Sequence, residues 1–188
     1  MEITGRTTGV VTATASETSI ASVISGLDFA NNTDEAISDD FAGHNITVST
    51  TDNTVTAANL NTLASQTVGT ITIDPADSSA SPTITGSATA IETALANSKF
   101  GTSLAASGLT ITGGATVTQI NSLAGDTTGT ITATVSNGDM ATLAGITDTT
   151  NALSISVTDS SVNAGALLAL DAKTSGVVDV TGTTLTGT

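Results

Sequence analysis

Cysteine, tryptophan and tyrosine are absent from this sequence of 188 residues, which holds one histidine, two prolines and three phenylalanines. Without cysteine there are no disulfides, no thiol catalysis and no zinc–thiolate site; such a chain suits secretion without a disulfide machinery. His44 is the one conventional general base near neutral pH. It stands beside "NITVST" with no serine and aspartate at a recognisable spacing, so it reads as a turn residue. Cations are nearly missing too: Arg6, Lys99 and Lys173 face 17 acidic residues, a formal net charge of −14. That balance repels phosphate and makes nucleic acid and anionic membrane poor partners, while drawing cations. No apolar run approaches a membrane span. "MEITGRTTGV" has neither the basic nor the apolar region of a signal peptide, so the chain reads as an excised piece or subunit whose targeting signal lies elsewhere.

The same absences weigh against catalysis. A carboxylate pair could serve in glycoside hydrolysis, as on some β-helical polysaccharide enzymes. Here, however, the aromatic sugar platforms are missing, and so are the cationic side chains that stabilise developing negative charge. "GSATA" and "GGATV" share only glycine with phosphate loops and lack the following lysine. The chain is therefore read as a non-enzyme. "NNT" at Asn31 and "NIT" at Asn45 match a glycosylation sequon, a common coincidence in text so rich in Asn and Thr.

What is present is threonine, about 40 residues, far above ordinary usage, with 38% hydrophobic residues drawn mostly from Ala, Val, Ile and Leu. These are arranged as a recurring phrase. "GRTTGVVTATASETSIASVISG" at Gly5 returns as "GDTTGTITATVSNGDMATLAG" at Gly125. The template is T-x-G, an alternating T/V/I run, a polar turn and a short Ala/Leu-rich stretch. Strand-like copies are "NITVST", "GTITID", "PTITG", "GLTITG", "ALSISVT" and "GVVDVTG"; helical ones are "AANLNTLAS", "ATAIETALANS", "TVTQINSLAG" and "NAGALLALDAK", with "DEAISDDFAG" a weaker candidate. Neighbouring units in the last third lie about 21–25 residues apart, and Gly9, Gly69 and Gly129 share a longer spacing of about 60.

In "GTITATVS" the alternation puts Ile131, Ala133 and Val135 on one face and Thr130, Thr132, Thr134 and Ser136 on the other. Ile120, Leu123 and Ala124 mark one narrow apolar face on a helix too short to stand alone. Polar turns such as "SETS", "TTDNT", "VSNGD" and "VTDSSVN" supply helix caps, and Gly26, Gly125 and Gly145 suit left-handed helix stops. A single strand–helix unit cannot bury its stripe, whereas a stack of them can. The expected fold is therefore an α/β, β-rich solenoid. It would be a right-handed coil of short parallel strands alternating with short helices, about 20–25 residues per unit with insertions such as Asp74–Pro82. Residues 1–188 form one repeat array, with sub-blocks at 1–68, 69–128 and 129–188.

"VTAANLNTLASQTVGTITID" and "TITGSATAIETALANS" resemble the degenerate Thr/Ala/Gly/Asp-rich repeats of very large secreted or surface-anchored bacterial proteins. They are most similar to cyanobacterial and marine bacterial adhesin-like and haemolysin-type repeats; similar text occurs in phage appendages. The resemblance spans nearly the whole chain but is compositional. It implies an extracellular, elongated, non-enzymatic role, often with calcium. "GGAT" at Gly113 departs from the calcium-binding G-G-x-G-x-D order, so loops of that type are not carried over.

Three functional expectations follow. Acidic residues recur at strand ends (Glu17, Asp52, Asp74, Asp139, Asp159), either as a row of Ca²⁺ ligands or as helix caps in solvated turns. The residues singled out for Ca²⁺ are Asp34, Glu35, Asp39, Asp40, Asp74 and Asp77. The T-x-T pairs Thr12/Thr14, Thr70/Thr72, Thr83/Thr85, Thr110/Thr112 and Thr130/Thr132/Thr134 would align across parallel strands like an ice-binding face. Finally, "TTGVVTATAS" and "SGVVDVTGTTLTG" offer uncovered strand edges. They suggest head-to-tail self-association in a structural, adhesive segment of a cell-surface or filament protein; contact with a surface or glycan stays open.

Overall fold

The computed structural model describes residues 12–16, 18–27, 45–77 and 79–187. Strand β7 (Ile131–Val135) shows why the phrase folds as it does. Its Ile131, Ala133 and Val135 are buried while Thr132 and Thr134 face solvent, the period-two alternation of a half-buried strand. β4 (Ile71–Ile73) repeats it with Ile71 and Ile73 inside and Thr72 outside. Around these lie β1 (Thr12–Ser16), β2 (Asn45–Thr50), β3 (Thr54–Thr56), β5 (Thr83–Gly86), β6 (Leu109–Ala115), β8 (Ala152–Ser156), β9 (Ser161–Asn163), β10 (Val178–Asp179) and β11 (Thr184–Thr186).

Short helices follow the strands: α1 (Ile20–Leu27), α2 (Ala57–Gln66), α3 (Ala88–Leu95), α4 (Val117–Asp126), α5 (Met140–Leu143) and α6 (Ala164–Asp171). Each of the middle three buries one stripe, such as Val117, Ile120 and Leu123 on α4. N-caps are supplied by the polar residue that ends the strand segment. Thr56, Ser87, Thr116, Asp139 and Asn163 accept the exposed amides of α2 to α6, each cap contributing about 1 kcal/mol. On α4 the cap is reciprocal, since the Gln119 side chain takes the Thr116 amide at 3.0 Å.

Among the described residues every strand pair is parallel. One sheet runs β1-β2-β4, a second runs β3-β5-β6-β7-β8-β10 and a third pairs β9 with β11. Strand order follows chain order, and among the described residues no sheet closes into a barrel. Register partners such as Ile84, Leu109 and Ile131 lie about 20 to 25 residues apart in most pairs. The offset lengthens where β1 meets β2 and where β3 meets β5, across the Asp74–Pro82 insertion. The core is one continuous aliphatic cluster between strands and helices, joined by Phe100 and Leu104 from the segment after α3.

The T-x-G phrase has a specific mechanical role. Thr67, Thr127 and Thr174 accept the amides of Gly69, Gly129 and Gly176 at 2.9 to 3.0 Å, closing the turn that enters the next strand. The Thr127 hydroxyl also donates to the Ser107 carbonyl of the preceding unit at 2.7 Å, and that of Thr174 to the Leu153 carbonyl at 3.0 Å. The glycine is required by proximity: a Cβ on Gly129 would stand 2.3 Å from the Ser107 carbonyl oxygen, and one on Gly176 2.2 Å from that of Leu153.

Two sequence expectations change. Gly125 lies inside α4, and neither it nor Gly145 has a positive φ. The chain leaves α2 and α4 through extended Thr67 and Thr127, because the same residue must enter the T-x-G turn. Gly26 likewise falls within α1. The segment "VTDSSVN", read as a turn, contains the short strand β9, and β3 begins at Thr54, the last residue of "TTDNT". The Gly113–Gly114 pair forms a bulge in β6, where Gly113 takes φ 81° and the register with β7 shifts.

Candidate functional site

Acidic side chains at strand ends mostly satisfy helix N-termini, and two of them, Asp52 and Asp159, do so across units. The first amide of α1, at Ile20, donates to Asp52 of the next unit at 2.8 Å. The first amide of α5, at Met140, donates to Asp159 at 2.7 Å; on α4 the Val117 amide uses Asn137 at 2.9 Å. These acceptors meet the positive end of the helix dipole. Asp139 caps its own helix by accepting the Thr142 amide at 2.8 Å. Of the residues singled out for calcium, Asp74 is exposed, and Asp77 accepts both the amide and the hydroxyl of Ser79, at 3.0 and 2.6 Å. Asp34, Glu35, Asp39 and Asp40 lie outside the described residues, as do Glu17 and His44. Among the described residues no three metal-binding side chains gather at one place.

A second device recurs as D-x-[ST]. Asp77, Asp148 and Asp179 each accept the amide and the hydroxyl of the residue two positions on. Their carboxyls are held below the usual aspartate range: by the Ser79 hydroxyl and then its amide for Asp77, the Thr150 amide and then hydroxyl for Asp148, and the Thr181 hydroxyl and then amide for Asp179. Asp139 is lowered in the same way by Thr142, through its side chain and then its amide.

Both described lysines serve the main chain. Lys99 donates to the Ala64 carbonyl near the end of α2, and Lys173 to the carbonyls of Ala144, at 3.0 Å, and Ile146, just past α5. A cation there complements the negative end of a helix in the preceding unit.

The outward strand face carries hydroxyls in register. Thr56 pairs with Thr85, Thr85 with Thr110, and Thr110 with Thr132, one rank across four strands with neighbours about 4.8 Å apart. The rank ends at Ala152 opposite Thr132, and Gly114 faces Thr134 beyond the bulge. Thr56 spends its oxygen on capping α2 and half-buried Thr85 donates to the Val55 carbonyl at 3.4 Å, while Thr110 and Thr132 are exposed.

The least expected surface lies at α6. Its sequence, AGALLALD, is apolar on every side up to its last residue, Asp171, yet Leu170 is its only fully buried residue. Leu168 is 70% exposed, Leu185 on the same groove is 53% exposed, and Val177, just before β10, is 69% exposed. A groove of about 280 Å³ lies between α6 and the final strands, lined by Ala164, Leu167, Leu168, Asp171, Val178, Val180 and Leu185. Another of about 400 Å³ lies toward α5, lined by Met140, Ala141, Ala144, Ala166, Ala169, Leu170 and Lys173. The available sequence signal was the absence of any polar stripe in "AGALLAL". Among the described residues no helix is long and apolar enough to cross a membrane. No protein-family model, curated protein or solved structure matches the chain.

Proposed function

We propose that this chain is a structural, adhesive repeat segment of an extracellular surface or filament protein. It is built as a right-handed solenoid whose coils assemble head to tail through exposed strand edges. The observation that carries this reading is the unbroken parallel succession β3-β5-β6-β7-β8-β10, in which each strand is the floor for the next. A ladder of that kind transmits load along its length and ends in edges that accept another strand. The repeated T-x-G turns, cross-unit caps and lysine clamps support it, because all of them join one coil to its neighbour. The acidic surface keeps the sides of such an assembly soluble.

No cofactor is needed in this reading: the described carboxylates at strand ends mainly cap and shape turns. Calorimetry with and without Ca²⁺ separates the roles, since ligation raises Tm strongly and capping leaves it nearly unchanged. Electron microscopy and light scattering of the purified chain test the main claim. Elongated, concentration-dependent particles are expected, and a strictly monomeric particle at millimolar concentration would overturn it.

Ice binding is the second reading, favoured by the Thr56–Thr85–Thr110–Thr132 rank. Thermal hysteresis that disappears in a Thr110→Lys, Thr132→Lys variant would establish it; no hysteresis at millimolar protein removes it.

A further inference from the structure

We propose that α6 and the strand edges beside it are the seat for the first strand–helix unit, β1–α1, of a second copy of this chain. The inference rests on the head-to-tail reading above and names the two surfaces that meet. A helix that is apolar on all sides is ordinarily covered on all sides, yet α6 exposes Leu168 by 70% beside a groove that also presents Leu167, Val178, Val180 and Leu185.

Three observations select the occupant. The first is polarity. Among the described residues β1 pairs only with β2, and β10 only with β8, so they are opposite edges of parallel ladders that run in chain order. A second copy's β1 can continue the parallel pattern on β10 without inversion. Two β10 edges brought together by a two-fold axis would instead run antiparallel, with a different hydrogen-bond pattern.

The second is charge. With a net charge of −14, two copies repel over most of their surfaces. β1 (TATAS) and α1 (IASVISGL) carry no charged residue, so the two carboxylates of the seat, Asp171 in the groove and Asp179 on β10, meet no like charge from the incoming unit. These surfaces can be brought together with little electrostatic cost.

The third is precedent within the chain. α1 packs on α2, α2 on α3 and α3 on α4 while the strands of the same units pair. Seating β1–α1 against β10 and α6 repeats that contact between molecules.

Sedimentation velocity of the full chain tests this with two variants. Leu168→Glu blocks the seat, and Ala21→Glu puts a charge on the exposed side of α1; both positions are exposed, so circular dichroism and Tm should match wild type. Wild type should form species that grow beyond dimers with concentration, and each variant alone should associate at least about tenfold more weakly. Mixed together, the two variants should form a one-to-one heterodimer that stops growing, because one intact head meets one intact seat. If Ala21→Glu associates like wild type while Leu168→Glu does not, α6 pairs with itself and this inference is overturned, with self-association left standing. If both variants associate like wild type, the contact lies elsewhere and the inference again fails alone. A monomeric wild type at millimolar concentration overturns both.

Discussion

The units carrying α4 and α6 are variations on one phrase with opposite surroundings. On α4, Ile120 and Leu123 are completely buried, the N-terminus has a reciprocal cap, and Asn137 of the next unit takes the first amide. Asn121 reaches forward to the Gly145 carbonyl at 2.8 Å and accepts the Thr147 amide at 3.1 Å. α6 has more leucines than α4 but less cover: Leu170 is buried and Leu168 is bare. The contrast shows that burial in this protein is supplied by the neighbouring unit, while the unit's own sequence supplies only a stripe to be covered.

Truncating the stripe should expose that dependence most sharply. Ile120→Ala removes a side chain with no exposed surface and should cost about 2–5 kcal/mol in chemical denaturation. Leu168→Ala deletes a comparable side chain at the bare site and should change monomer stability by less than about 0.5 kcal/mol. Equal losses at both positions would mean that α6 is covered in solution even in the monomer.

Glycine offers the next comparison. Gly129 sits where two units touch, and Gly129→Ala places a methyl 2.3 Å from the Ser107 carbonyl oxygen; a loss of about 1–3 kcal/mol is expected. Gly125 is inside α4 with open space where its Cβ would be. Gly125→Ala should therefore stabilise by about 0.4–1 kcal/mol, by raising helix propensity and restricting the unfolded chain. Thermal melts of the two variants should move in opposite directions.

Caps come third. Asp159→Ala removes the acceptor of the Met140 amide while leaving Asp139 to cap the same helix. The expected loss is about 1 kcal/mol. Hydrogen exchange should place the increased opening at α5, one unit before the substitution, whereas a purely local loop effect would leave α5 protected.

Much of this architecture was legible. Alternation in "GTITATVS" and helical spacing in "QINSLAG" assign Ile131, Ala133, Val135, Ile120 and Leu123 to the core, with Ala124 only partly buried, because both patterns follow from backbone geometry. Parallel pairing follows from strands separated by helices. Three kinds of feature were not legible. The short strands β3 and β9 adjoin or lie within turn-like sequences and are strands because a neighbouring backbone pairs with them. The glycines at helix ends looked like left-handed stops, but the T-x-G turn claims the helix exit. The acidic residues at strand ends read mainly as caps, but which helix each one caps was not legible, since the amides that Asp52 and Asp159 meet belong to another unit many residues away. The α6 surface shows the same limit: its composition declares a helix that wants cover, and only the fold reveals which side lacks it.

The smallest effect concerns the D-x-[ST] turns, where pH separates a hydrogen-bonded carboxylate from a merely solvated one. Asp148 is held below its ordinary range by Thr150, so the folded state binds fewer protons than the unfolded chain near the carboxylate range. Its stabilising contribution is complete above the unfolded value of about 3.9 and is lost as pH falls through the lower folded value. Protonating other carboxylates acts in the opposite sense by relieving self-repulsion in a chain of net charge −14, so wild-type melts alone do not isolate the turn. Asp148→Asn does, because asparagine keeps an oxygen for the Thr150 amide and hydroxyl but does not titrate. Wild type should be the more stable of the two at neutral pH. The gap in Tm should hold down to about pH 4 and close as pH falls further. A gap that stays constant through that fall would show that the carboxylate charge contributes nothing to the turn, leaving geometry as its only role.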